Sequence, residues 1–150
     1  MARVLIICYG NPLRCDDSLG WRAAEELGKQ FSGPEIEVLT CHQLTIELAA
    51  VLSTADAAFF IDATRDGEPG ELTCKPVVAA SLTPALTHSL TPAAVLALAA
   101  QLYGGVPRAF EFTVCGECFD HGEKLSPRVQ ARLPRPTAVV SRAARLNAIK

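Results

Sequence analysis

Residues 7–20, ICYGNPLRCDDSLG, place two different chemistries in one stretch. Cys8 and Arg14 have the C-x5-R spacing with which a loop wraps its N–H groups around a phosphate while a thiolate attacks. Asp16 and Asp17 are adjacent carboxylates after a Gly-Asn-Pro turn, which suits metal ligation or activation of water. Two further groups join the second reading: Asp62, which ends the apolar run AAFFI, and His88, in the Ser/Thr/Pro-rich stretch AASLTPALTHS. Carboxylates and an imidazole from separate loops form an oxygen and nitrogen donor set that suits nickel or zinc. A plainer reading is local: one of Asp16, Asp17 and Ser18 caps the following helix, and Asp62 serves a turn.

The elements that must position these groups are visible in the apolar pattern. Val4 to Tyr9 and Ala57 to Ile61 are continuous apolar runs, expected of strands buried on both faces. Glu35 to Cys41, Glu71 to Val77 and Arg108 to Val114 complete an expected set of about five strands. Ser18 to Phe31, Thr45 to Leu52 and Ala93 to Leu102 read as helices, the last opened by Thr91-Pro92 and closed by Gly104-Gly105. Ser126-Pro127 repeats the cap-plus-proline device, and Pro134 and Pro136 divide the remainder into helical pieces at about 127–133 and 137–148. Ala79 to Ser89 shows no sustained period and reads as a functional loop. This alternation predicts an α/β single domain, residues 1–150: a mainly parallel twisted sheet of about five strands sandwiched between helices. In such sheets a site forms outside the carboxyl ends of the strands.

Composition excludes several classes. At 150 residues, 49% apolar and 20% charged, the chain has the size and character of one globular domain rather than a disordered segment. A net charge of −2 provides no basic field, so no nucleic acid or anionic membrane surface is expected as a partner. No apolar run approaches a membrane span, and MARVLIICYG reads as an opening strand rather than a signal peptide. Six cysteines without a secretion signal suggest reduced thiols and a cytoplasmic location.

The thiol reading would make the chain resemble a low-molecular-weight tyrosine phosphatase using Cys8 and Arg14. Pro12 removes one loop N–H, Cys15 stands where a supporting hydroxyl belongs, and Asp16 and Asp17 bring negative charge to the phosphate's place. Cys8 then reads as a small buried strand residue and Arg14 as a surface or substrate-contacting arginine. Cys115-Gly-Glu-Cys118 has C-x-x-C spacing without a second pair and reads as structural thiols. His42, following the second strand, can approach the same sheet edge, whereas His121 is expected to face solvent.

VLIICYGNPLRCDDSLGWRAAEEL resembles the N-terminus of the hydrogenase maturation peptidases, with an apolar strand, Gly-Asn, a carboxylate pair and a following glycine. The resemblance continues through AAFFIDATRDGEPGEL, LTHSLTPAAVLALA and FDHGEKLSPRV, in order and in register. It implies an endopeptidase that removes the C-terminal extension of a [NiFe] hydrogenase large-subunit precursor after nickel insertion. By position, it assigns metal contacts to Asp17, Asp62 and His88, with Asp17 and Asp62 catalytic. It also implies that nickel is carried by the substrate, with no permanent cofactor, and that the peptidase is aspartic-type or metal-assisted. Where many members have Asp-Gly-Gly-Thr, this chain has Thr40-Cys41-His42-Gln43-Leu44-Thr45, so His42 and Arg14 are candidates for substrate contact. A monomer is expected. A non-catalytic nickel-sensing chaperone of the same precursor would need the same ligands and stays open at this point.

Overall fold

The computed structural model describes residues 2–81 and 90–149. Its elements are β1 (Val4–Tyr9), a 3₁₀ turn (Cys15–Ser18), α1 (Leu19–Gln30), β2 (Ile36–Cys41), α2 (Leu48–Leu52) and β3 (Ala57–Thr64). After these come β4 (Leu72–Val77), α3 (Pro92–Tyr103), β5 (Arg108–Cys115), α4 (Pro127–Arg132) and α5 (Pro134–Ala148). The five strands form one sheet in the order β2-β1-β3-β5-β4. β2, β1, β3 and β5 are parallel, and β4 runs antiparallel to β5 at the edge.

Strand alternation divides the core into two layers. Val4, Ile6, Cys8, Phe59, Ile61, Phe112 and Val114 pack with α1, α4 and α5 through Leu19, Leu27, Val129, Val140 and Ala144. Leu5, Ile7, Ala58 and Phe60 pack on the other face with Leu44, Leu52, Val95, Leu96 and Ala99. The neighbouring phenylalanines 59 and 60 therefore fill opposite layers. This two-sided burial is why the β1 and β3 sequences are continuously apolar.

The cap signals have different fates. Thr91 caps α3 as expected, its Oγ1 accepting from Ala94 N at 3.2 Å, and Gly104 ends the helix at φ 75°. Ser126 precedes Pro127 as expected, but its hydroxyl makes no capping bond and instead donates to Asp16 Oδ2 at 2.8 Å. The final helix begins at Pro134, three residues before the expected start. Both prolines lie in its first turn, where a missing N–H breaks no helical bond. Helix α2 is shorter than expected and starts at Leu48, with 45–47 forming the turn that enters it. The pieces of the C-terminal half still cover the sheet as the sandwich requires.

Strand β3 extends past Ile61 to Thr64, because the long β5 continues to pair with it: Asp62 with Thr113, Ala63 with Val114, Thr64 with Cys115. Asp62 is thus a strand residue and not the turn residue expected from the end of AAFFI. β1 pairs with β3 only as far as Cys8 and Ile61. From there the chain of β1 leaves through Gly10 toward α1 on one face, while the connection between β2 and β3 crosses the other face through α2. This is the topological switch point of the sheet, the place between the carboxyl ends of β1 and β3 where a site is expected to form.

Candidate active site

The turn after β1 is shaped by Gly10. Its φ is +143°, and a Cβ there would overlap the carbonyl oxygen of Asp17. Gly10 N donates to Cys41 O at 3.2 Å, and the Trp21 indole N–H donates to Gly10 O at 2.8 Å. Asp17 Oδ2 accepts from Asn11 N at 2.9 Å, which folds the carboxylate back over the turn at the switch point. None of Asp16, Asp17 and Ser18 makes the side-chain helix cap that the sequence allowed. The Ser18 hydroxyl donates back to Cys15 O at 2.6 Å instead.

Asp16 points the opposite way from Asp17 and is fully buried. It accepts from the backbone N–H groups of Glu117, Cys118 and Ser126 at 2.7, 2.9 and 2.7 Å, and from the Ser126 hydroxyl at 2.8 Å. Burial alone would raise its pKa, but these donors outweigh it and hold the carboxyl below its ordinary range. Asp16 therefore fastens the 116–126 segment across the foot of the site. The adjacent carboxylates of the sequence thus have separate partners, Asp16 in the 116–126 segment and Asp17 in the turn after β1.

Asp62 is half-buried, and its side chain lies on the α2/α3 face beside Tyr9, the last residue of β1. Desolvation pushes its pKa up to about 7. The Ala63 N–H, donating at 2.8 Å, opposes that rise; the charges of Asp17 and Glu111 add to it; and a hydrogen bond with the Tyr9 hydroxyl again opposes it. Burial and the carboxylates of Asp62 and Glu111 favour the protonated Tyr9 phenol, a donor beside Asp62. Glu111 in turn faces Lys75 at 3.5 Å. Tyr9 is a site residue absent from the sequence-based candidates; its signal was a hydroxyl at the end of an otherwise apolar strand. The charge of Asp17, from the turn after β1, is thus felt at Asp62 on β3.

The remaining candidates fall at different distances from that pair. His42 is exposed on the turn after β2 and packs edge-on against Trp21, with ring centroids 5.5 Å apart. It joins the same sheet edge through Trp21 and Gly10. Arg14 is exposed, and its Nε donates to Phe119 O at 3.0 Å, so it rims the site on the side of the 116–122 segment. His88 lies outside the described residues. Among the described residues, no three His, Cys, Asp or Glu side chains gather into a metal cluster. His121 is exposed, as expected.

The cysteines correct the thiol reading. Cys8 is fully buried in the α1/α5 layer, and burial, with a smaller contribution from Cys41, pushes its thiol up to about 12. A thiol buried in this layer and held toward its protonated form is poorly placed to act as a nucleophile, which counts against the phosphatase alternative. Cys115 is buried with Sγ donating to Gly67 O at 3.2 Å, a structural role that agrees with the sequence. The other member of the C-x-x-C, Cys118, lies beside Cys15 and, with burial, pushes the Cys15 thiol up to about 11.

No protein-family model and no curated protein sequence matches the chain. Solved structures do. The hydrogenase maturating endopeptidase HybD from E. coli is 26% identical, over 96% of this chain and 93% of that one, with a TM-score of 0.76. A solution structure of an endopeptidase from Escherichia coli is 25% identical over the same shares, with a TM-score of 0.74. The [NiFe] hydrogenase maturation protease HycI from Thermococcus kodakarensis KOD1 shares the fold at 22% identity, a TM-score of 0.77 and coverage of 96% and 93%. Over 96% of its length the chain is thus similar in fold to the hydrogenase maturation proteases, the family that its sequence segments resemble.

Proposed function

We propose that this protein is an endopeptidase that removes a C-terminal extension from a [NiFe] hydrogenase large-subunit precursor once nickel is in place. The observation that supports this reading most is the fold likeness to hydrogenase maturation endopeptidases, joined by Asp62 at the carboxyl end of β3, where burial pushes its carboxyl up to about 7 and the charge of Asp17 adds to the rise. A carboxyl group that exchanges its proton near neutrality suits general acid–base chemistry. In its ionised form Asp62 takes a proton from the water that attacks the scissile carbonyl. It then returns that proton to the departing amine, which leaves with the extension. The Tyr9 hydroxyl holds the carboxylate in orientation during both transfers.

Nickel enters as a feature of the substrate, held by the precursor's cysteines. Carboxylate oxygens of Asp17 and Asp62, with the imidazole of His88, form a donor set able to complete its coordination and so register its presence. His42 and Arg14, on opposite rims, contact the precursor on either side of the site. The test is processing by Asp17→Asn and Asp62→Asn proteins, each checked for a native circular-dichroism spectrum. We expect both to retain the fold and lose cleavage of the nickel-loaded precursor by at least two orders of magnitude. A fully active Asp62→Asn enzyme would overturn the assignment.

A further inference from the structure

Cys118 of the C-x-x-C spacing lies not against Cys115 but beside Cys15, the residue that follows Arg14. Cys15 sits in the left-handed region at φ 45°, the only described non-glycine residue with positive φ. Its Sγ reaches Gly122 in the 116–122 segment, beside the Cys118 side chain. The backbones around the pair are already laced: Asp16 N donates to Cys118 O at 2.9 Å, Cys118 N to Asp16 Oδ2 at 2.9 Å, and Cys15 N to Gly122 O at 2.8 Å. Arg14 and Gly122 form a parallel bridge on the same seam. Both thiols are partly exposed, so a small reagent can reach them. Two thiols brought close by hydrogen-bonded backbones, with one residue between Cys15 and Asp17, form a pair suited to covalent linkage.

We propose that Cys15 and Cys118 are a reversible disulfide site, oxidised by a low-molecular-weight disulfide such as oxidised glutathione, and that the linkage clamps the Asp17 turn to the 116–126 segment. In the first step the Cys118 sulfur, losing its proton to solvent, attacks the reagent, and one glutathione thiolate leaves and takes up a proton. The Cys15 sulfur then attacks the sulfur of Cys118 in that mixed disulfide, and the second glutathione leaves as thiol. Two protein thiols are oxidised to one disulfide while one glutathione disulfide is reduced to two thiols. The linked residues are about a hundred positions apart in the chain, so the bond restricts the unfolded ensemble strongly.

The test uses the reduced full-length protein, incubated with oxidised glutathione, alkylated and mapped by non-reducing peptide mass spectrometry. The expected product has lost the mass of two hydrogens, carries a Cys15–Cys118 cross-linked peptide, and returns to the starting mass with dithiothreitol. Its thermal midpoint should exceed that of the reduced protein by several degrees. Cys15→Ser and Cys118→Ser should each abolish the internal linkage. A Cys115–Cys118 peptide, stable glutathione adducts alone, no reaction, or an unchanged midpoint in the linked protein would each overturn the proposal. None of these readouts depends on peptidase activity.

Discussion

Asp16, Asp17 and Asp62 are chemically alike and do different things because their surroundings differ. Asp16 has its carboxyl held below the usual range, so its contribution to stability is present above pH about 3.8 and is lost as pH falls toward its folded-state value. Asp16→Ala should cost about 3 kcal/mol at neutral pH, read from urea unfolding, because it strands three backbone N–H donors and a hydroxyl. Asp62 has the opposite sign. Its folded pKa of about 7 lies above the ordinary 3.8, so ionisation costs stability progressively as pH rises through that window. Asp62→Asn should therefore be more stable than the wild type by on the order of 2 kcal/mol at about pH 8, with the difference gone near pH 4. The carboxylate doublet was plain in the sequence, but its division of labour was not. The donors that claim Asp16 lie 101 to 110 residues away, and Tyr9 reaches Asp62 only through strand pairing.

At the scale of elements, strand lengths and turn backbones set the site. The apolar run AAFFI located β3, yet its true end depends on β5, whose pairing carries the strand through Asp62 and fixes which face that side chain takes. Local caps were readable where the cap bond is local, as at Thr91, and misleading where a distant carboxylate competes, as at Ser126. Gly10 ties β1 to the Asp17 turn, since any side chain at φ +143° meets the Asp17 carbonyl. Gly10→Ala should lower stability by about 2 kcal/mol in urea unfolding and impair processing together, because the turn that aims Asp17 must open. Wild-type stability in that variant would mean the turn is looser than its hydrogen bonds suggest.

For the molecule as a whole, alternating strands and helices were enough to derive a parallel sheet with helices on both faces, and with it the edge where loops gather. The strand order, and hence the switch point between β1 and β3, follows from long-range pairing that no local pattern encodes. The fold sets the turn after β1 and the end of β3 side by side, with His42 after β2 on one flank and the 116–126 segment on the other. The most direct measurement of the proposed role is the intact mass of a nickel-loaded [NiFe] hydrogenase large-subunit precursor before and after incubation with this protein, beside a nickel-free control. We predict loss of a single C-terminal peptide from the nickel-loaded precursor alone. An unchanged mass in a precursor that another maturation peptidase does cleave, or equal cleavage with and without nickel, would contradict it.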